Sequence, residues 1–545
     1  MNIKSVVIGS LSLGLIFSQV EMNYSYEMKY GVGKQVTSES QDTTDYSYFE
    51  NLLDINTYFG DNIYLFTQLE YSNPPVFGYS RTRIDSVLNK FYFEYSNETF
   101  NMKLGNLYEL YGRGLSFYTM QDQNVDYDNS IIGLNLKYVM KNNLDISFLI
   151  GGGDFEFRSN PAFRETDYQI NNDFILGSFD YGNDTFGYLQ FLYLKNTTLL
   201  TYDFIKNIRG GGSEVGQELA ERTSILDFLS TTGNGDTLHQ QDMNLNWNIY
   251  FGPLEIYIDK SWINYDKIHN NEVFGSRFYT SLYTELLSMG ITYEYKNYYT
   301  PYLIKSISNP PICYREGNSI LASRNAHTMN FGNEMGHQID LNSNIFDNMN
   351  VAANLSLSHR HKMGDMESIS IFDVLTMKDE DIMYDYYPFR QVYMEINGWT
   401  LNEKLYYKVG ADHFTEFYDG KNINALTIPT HWVWKLPGGS SFTIYLETQK
   451  KDVKTITPGE YTSNYFSVSY SNRGKWIITG FYDQEIKDSK PNHWAGLDLS
   501  YKISSETQVS IYYGSQKGGL VCANGICAEQ PGFEDGFKVT FRSLF

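Results

Sequence analysis

The sequence predicts an all-β protein: one large closed antiparallel transmembrane β-barrel of about 24 strands, with short periplasmic turns and long extracellular loops. Three observations predict it. Apolar and polar residues alternate with period two along most of the chain. Very short polar turns are interleaved with much longer polar segments. The last stretch alternates Phe537, Val539 and Phe541 with Lys538, Thr540 and Arg542, and ends on Phe545.

The composition has a cause in such a barrel. The 545 residues include 47 Tyr and 35 Phe, and aromatics make up 16% of the chain. Aromatic girdles sit at both membrane interfaces, where an apolar ring with a polar tip is best placed. Mean hydropathy is −0.40, too polar for a bundle of membrane helices. A barrel needs only alternate residues of each strand to meet lipid. The aromatic load is too high for disorder. A net charge of −22 would repel nucleic-acid phosphates.

From the N-terminus, Met1–Lys4 is a short positive start, Ser5–Phe17 is apolar, and Ser18 precedes an expected cleavage point. This reads as a secretory signal peptide over 1–18, followed by the barrel over 19–545. The run is too short to span a bilayer as a helix, and no later stretch approaches 18 continuous apolar residues. No Cys follows the cleavage point closely, so a lipoprotein is not expected. Export through the general secretory pathway to the outer membrane of a Gram-negative bacterium follows as an expectation.

Strand signals begin at once. Met22, Tyr24, Tyr26, Met28, Tyr30 and Val32 alternate with Glu21, Asn23, Ser25, Glu27, Lys29 and Gly31. A strand places these two sets on opposite faces. The pattern recurs at Leu144–Ile150, Leu254–Ile258, Val392–Ile396 and Leu497–Tyr501. No long helical pattern is evident. Turn chemistry joins the strands at Gly60–Asn62, Asn97-Glu98, Lys141–Asn143, Gly182–Asp184, Gly252-Pro253, Lys296-Asn297, Asp347-Asn348, Asn402-Glu403, Pro437–Ser440, Asn472–Gly474 and Ser504-Ser505. Long polar segments, such as Lys34–Asp45, Asn196–Gln240 and Arg360–Asp385, alternate with them. About 11 short turns imply about 22 strands, and the terminal pair brings the total to about 24, an even number that lets first and last strands meet. Both chain ends then lie in the periplasm.

Cys522 and Cys527 flank a tight four-residue segment, and an exported protein can close it as a disulfide. Cys313 has no obvious partner, and no cofactor motif is present. Asp122, Asp126 and Asp128, and separately Asp379, Glu380 and Asp381, are loop carboxylates able to hold Ca²⁺ or simply to be solvated.

Two stretches depart from generic barrel. Lys103–Phe117 reads KLGNLYELYGRGLSF. Gly105, Gly112 and Gly114 permit close backbone approach, and Arg113 lies between two of them, suited to a carboxylate of the lumen or of a ligand. Asn309–Asp340 carries Arg315, Glu316, Arg324, His327, Glu334 and His337. It reads as a loop folded inward and fixed by salt bridges. His327, His337 and Glu334 offer metal-ligand types at a spacing that matches no standard site. These blocks, Gly105–Leu115 and Pro310–Gln338, resemble those of a family of uncharacterised Gram-negative outer-membrane β-barrel proteins. The resemblance implies a single large barrel and no assigned activity. The aromatic end at Phe545 likewise resembles the C-terminal signature that the barrel-assembly machinery recognises.

Inward positions follow from strand phase. The acidic ones are Glu70, Asp145, Glu255, Asp259, Glu294, Asp340, Glu395, Asp412 and Asp498; the basic ones are Lys103, Lys137, Lys408 and Lys502. An acid-leaning polar lumen suits a hydrated path for cations or neutral polar solutes. The function expected is therefore an outer-membrane channel or transport barrel, gated or plugged by its own loops, and not an enzyme. The rivals are a non-conducting docking barrel with a periplasmic or surface protein partner, and a barrel enzyme acting on surface lipid or polymer.

Overall fold

The computed structural model describes the chain from Val20 onward. Segments 37–42, 74–87, 123–126, 141–142, 158–167, 184–186, 201–236, 269–270, 301–306, 363–367, 377–384, 455–458 and 524–525 lie outside the described residues. So do positions 318, 326, 328, 330–331, 347, 419 and 531. The expected signal peptide, the Asp379–Asp381 cluster, Asp126 and most of Asn196–Gln240 therefore fall outside it.

Twenty-four antiparallel strands form one sheet, each paired with its neighbours in sequence. The first strand, Val20–Val36, also pairs with the last, Phe533–Leu544, with Glu27 opposite Arg542 and Met28 opposite Phe541. Tyr24 and Phe545 exchange backbone hydrogen bonds of 2.9 and 2.8 Å, so the ladder runs to the last residue. The sheet is thus a closed transmembrane barrel. Closure leaves no row of unpaired N–H and C=O groups, which hydrocarbon cannot satisfy.

Alternation divides the strands into two faces. On Tyr168–Asn183, Ile175 and Phe179 are exposed on the outside while Asn172, Ser178 and Asp180 are buried inside. Leu446, Phe466 and Ile478 continue the outer apolar belt across three later strands. On the closing strand, Arg542 pairs with Glu27, which sets the charged positions inward. Phe541 packs on Tyr26 at 5.9 Å on the opposite, lipid-facing side.

Among the described residues most short turns fall where turn chemistry places them; Gly182 and Asn183 instead remain in the strand Tyr168–Asn183, and a second turn is displaced altogether. Lys296-Asn297 lies inside the strand Met289–Tyr299. The true turn is Leu287-Ser288, with φ of 52° and 61°. Those angles suit a tight hairpin, but Leu and Ser carry none of the usual left-handed signal. The alternation of short and long connections is also less regular than the sequence suggests. At the outer rim Ile268 pairs directly with Asn271, Tyr418 with Lys421 and Lys487 with Lys490, so some outer strand ends meet as closely as the inner ones. Strands run further into the segments read as loops, for example to Val36 and from Thr43. The described part of Arg360–Asp385 includes a short helix, Ile371–Thr376. Among the described residues no helix is long and apolar enough to cross a membrane.

Two outcomes follow from this geometry. Phe541→Asp places a carboxylate on the lipid face and removes the contact with Tyr26, a cost of about 1 kcal/mol near the interface, most of it the lost aromatic pair. The variant, and a chain lacking Phe545, are expected to lose heat-modifiable folded barrel on unboiled gels; wild-type levels of that band would refute the lipid-facing assignment. In the last outer loop, Gly519–Ala523 pairs with Ile526–Gln530 and sets Cys522 directly opposite Cys527. Their side chains lie outside the described residues. Peptide mapping without reduction should recover one linked peptide, and alkylation of both thiols would show the bond is not made.

Candidate functional site: a lumen occupied by two loops

The interior is not an empty tube. The segment after Phe100–Leu107 turns inward and forms two small hairpins, Leu110-Tyr111 with Phe117-Tyr118 and Gln121-Asp122 with Tyr127-Asp128. The described part of the segment between Tyr299 and Asn333 enters from the other side. The two bond to each other: Tyr118 N–H donates to Ile307 O at 2.7 Å, and Asn309 N–H donates to Gly114 O at 3.2 Å.

The sequence folds this way because the lumen wall carries an apolar seat. Leu149, Phe174, Leu176, Leu192 and Leu194 point inward, where a water-filled lumen would favour polar groups, and they cluster with Tyr111, Phe117 and Ile307 from the loops. Phe117 stands 5.1 Å from Phe174. A second cluster joins Leu115, Cys313, Tyr314 and Met329 of the loops to Tyr257, Tyr279, Tyr298, Phe389 and Phe414 of the wall. Burial of several large side chains at each seat stabilises the docked state, at about 1.5–3 kcal/mol for each fully buried one.

The first block docks through its backbone. Arg113 N–H donates to Asp259 Oδ2 at 3.2 Å, and Tyr257 OH donates to the same oxygen at 3.0 Å. Asn244 Nδ2 donates to Asp259 Oδ1 at 2.7 Å. The Arg113 guanidinium lies 4.8 Å over the Tyr257 ring instead of forking onto a carboxylate. A Cβ on Gly112 would stand 2.7 Å from Asp259 Oδ2, and one on Gly114 would stand 2.8 Å from Asn309 O. Both glycines have positive φ, so the approach and the turn both require them. Gly105 lies earlier, in the wall, opposite Gly133.

The second block docks through charge. Lys296 Nζ meets Glu334 Oε1 at 2.5 Å, with the two side chains 0% and 2% exposed. It also donates to Ile312 O at 2.5 Å. His327 bridges two carboxylates: Nδ1 stands 2.6 Å from Glu416 Oε1 and Nε2 stands 3.2 Å from Glu334 Oε1. Its ring stacks on Phe389 at 4.0 Å. Burial alone would lower the imidazole pKa, but Glu334 and Glu416 outweigh it and the net shift is upward. Further along, Arg324 forks onto Asp483 at 2.5 and 3.3 Å. Ser319 Oγ and Ala322 N–H both donate to Glu447 Oε1, at 2.6 and 3.2 Å. Arg315 lies 4.1 Å over Tyr393. Glu316, beside it, lines a small cavity with Tyr314 and Gln391.

The residues named from strand phase divide into two groups. Asp259 and Lys103 hold the first loop: Asp259 accepts from Arg113 N–H, and Lys103 meets Glu109 at 3.1 Å. Others pair within the wall. Tyr279 OH donates to Glu294, Gln391 donates to Asp412 at 2.8 Å, Lys137 meets Asp145 at 2.8 Å, and Lys408 meets Glu395 at 2.6 Å. Glu70 accepts from Asn89 at 2.6 Å, Asp340 from Gln338 at 2.7 Å, Glu255 from Asn248 at 3.1 Å and Asp498 from Ser500 at 3.1 Å. Lys502 lies at the periplasmic end of its strand. Asp259 therefore holds a loop and does not face a solute.

One grouping suggested by the sequence is not made. His337 alternates with Glu334 and Gln338 along Asn333–Phe346 and so faces outward, 4.8 Å from the Tyr295 ring, away from His327. Asp128 pairs with Lys90 at 2.6 Å. Among the described residues no three potential ligands converge on a metal position. Conversely, sequence reasoning missed Lys296, Glu416, Glu447 and Asp483. Lys296 is masked by its Lys-Asn turn signal, and the carboxylates sit in ordinary strands whose partners lie on distant loops.

Burial is uneven around the barrel. Opposite the docked loops, on Val20–Val36, Thr43–Phe59 and Phe533–Leu544, Glu27 and Lys29 remain 20% and 23% exposed. Lys29 lies between Glu27 at 2.6 Å and Glu50 at 3.0 Å. That side of the lumen is partly exposed and carries no docked loop among the described residues.

Solved structures with similar coordinates include the P pilus usher PapC translocation pore, at TM-score 0.43 and 10% identity, covering 96% of this chain and 99% of that one. The copper transporter OprC has TM-score 0.44 and 9% identity, over 97% and 81%. The FrpB iron transporter from Neisseria meningitidis has TM-score 0.44 and 7% identity, over 97% and 83%. These likenesses are too distant to carry an argument about activity. No protein with a curated description matches significantly. A family model matches residues 9–173 and 283–545, most of the chain and both motif blocks, and the protein therefore belongs to the family of unknown function DUF6029.

Proposed function

We propose that this chain is an outer-membrane transport barrel of a Gram-negative bacterium, with a hydrated path for small polar solutes beside a plug made of its own loops. One observation carries the reading. The two inward loops are seated by apolar clusters and buried ion pairs on one side of the lumen, while the charged groups Glu27, Lys29 and Glu50 opposite them pair with one another and stay partly exposed. A purely structural barrel has no reason to leave one wall charged and partly exposed.

Part of the carboxylate excess is taken up by the plug. Asp259 of the inward set named from strand phase, together with Glu334, Glu416, Glu447 and Asp483, bonds to the loops. Polar solutes remain the substrate class, and the uncovered groups set the charge preference. Insertion would use the barrel-assembly machinery acting on the strand that ends at Phe545. The docking role without conductance is the alternative, and among the described residues no arrangement favours catalysis.

Planar-bilayer recording decides between them. The intact protein should pass ions, and Lys296→Ala should raise the open probability. Removing Lys296 leaves Glu334 buried without its principal cation, which costs about 3–5 kcal/mol. If neither protein conducts, the docking role replaces the transport one. The latch should also respond to pH. The folded pKa of His327 is raised, so its contribution is complete below the ordinary histidine value and is lost as pH rises through the folded value. Open probability should therefore increase on the alkaline side, and His327→Ala should flatten that dependence. An unchanged pH profile in the variant would remove His327 from the latch.

A further inference from the structure

The outer mouth of the lumen holds a second feature that the plug does not explain. Next to the tip of the second loop lies a cleft of about 510 Å³. Five cationic side chains line it: Arg324, Lys421, Lys451, Lys487 and Lys517. The carboxylate among its lining residues is Glu485, already held by Lys517. Arg324 is matched by Asp483. Lys451 is partly buried and, among the described residues, makes no ion pair; its ammonium and that of Lys487 lie 5.9 and 5.3 Å from the Tyr461 ring.

This arrangement is unusual for its setting. The whole chain is strongly acidic, with a net charge of −22. Yet cations from four separate strand ends and one loop converge on a single concave surface. Lys421, Lys487 and Lys517 adjoin outer connections, and Lys451 lies one inward step below the outer end of its strand. Like charges gathered in a recess repel one another, and Lys451 is partly shielded from water as well, so an anion in the cleft relieves both costs. Lysine ammonium groups on flexible stems adapt to a carboxylate or phosphate without fixing one geometry. Gln449, Asn325 and Ser463 add neutral hydrogen-bonding groups to the same wall.

We infer that this cleft is a capture site for a small multiply charged anion, an organic phosphate or a di- or tricarboxylate, at the extracellular entrance of the barrel. The volume admits a molecule of that size, and the lysines face the lumen, away from lipid headgroups. The inference extends the transport reading by naming a substrate class. Recognition at the mouth is nevertheless a separate property from conduction.

The test uses the full-length protein purified in detergent, with citrate and inorganic phosphate as probes and glucose as the neutral control. Calorimetry should show citrate binding that weakens as salt is raised, little response to glucose, and a loss of at least tenfold in affinity in the variant Lys451→Gln/Lys487→Gln. Folding of the variant is checked by its heat-modifiable band. Lys260→Gln, on the lipid face of another strand, should bind citrate as the wild type does. Absence of citrate and phosphate binding, or equal affinity in the double variant, overturns the inference. Binding without bilayer conductance would keep the anion site and discard the transport reading; conductance without binding would do the reverse.

Discussion

The constraint on which everything else depends is that hydrocarbon offers no hydrogen-bond partner to a backbone. An antiparallel sheet of 24 strands survives there only if its edges meet. The pairing of Val20–Val36 with Phe533–Leu544 meets that demand, and it extends to the last residue through Tyr24 and Phe545. Closure then imposes the two-faced pattern on every strand. One face must be apolar, and the other is free to carry charge.

A barrel of this circumference encloses more space than side chains can fill. The chain occupies part of that space with its own loops, and it seats them by two different means. Apolar clusters around Phe117 and around Phe389 give affinity without direction. The directional contacts come from Asp259, Lys296, His327 and Arg324. Breaking one partner of a buried pair is far more costly than either pair is worth in place. The docked state is therefore well defined yet open to switching by a single change in charge. His327 is poised for this, since both of its ring nitrogens face carboxylates.

The distribution of charge separates three roles that composition merges. Carboxylates on the occupied side hold loops. The mixed set around Glu27, Lys29 and Glu50 stays partly exposed. Lysines collect at the outer mouth around Tyr461. A protein that is acidic overall thus presents a basic entrance, which no net charge or isoelectric point conveys.

The sequence by itself determined the architecture. Period-two alternation, short turns with Gly, Asn and Asp, the aromatic load and the ending at Phe545 are all local consequences of a strand crossing a bilayer, so each is readable without knowing what lies beside it. Strand phase likewise placed Glu70, Lys103 and Asp498 on the inner face. The motif glycines signalled close approach, although not to Asp259. Tertiary structure decided what the inward residues do. Leu287-Ser288 makes a tight turn without Gly, Asn or Asp, because closure and register leave the chain no other place to reverse. Lys296 thereby moves from an apparent turn into a buried ion pair, and His337 falls on the opposite face from His327. Whether a lumen carboxylate meets water or a loop depends on contacts between residues far apart in sequence. Arg324 and Asp483 are 159 positions apart, and no local pattern encodes such a meeting.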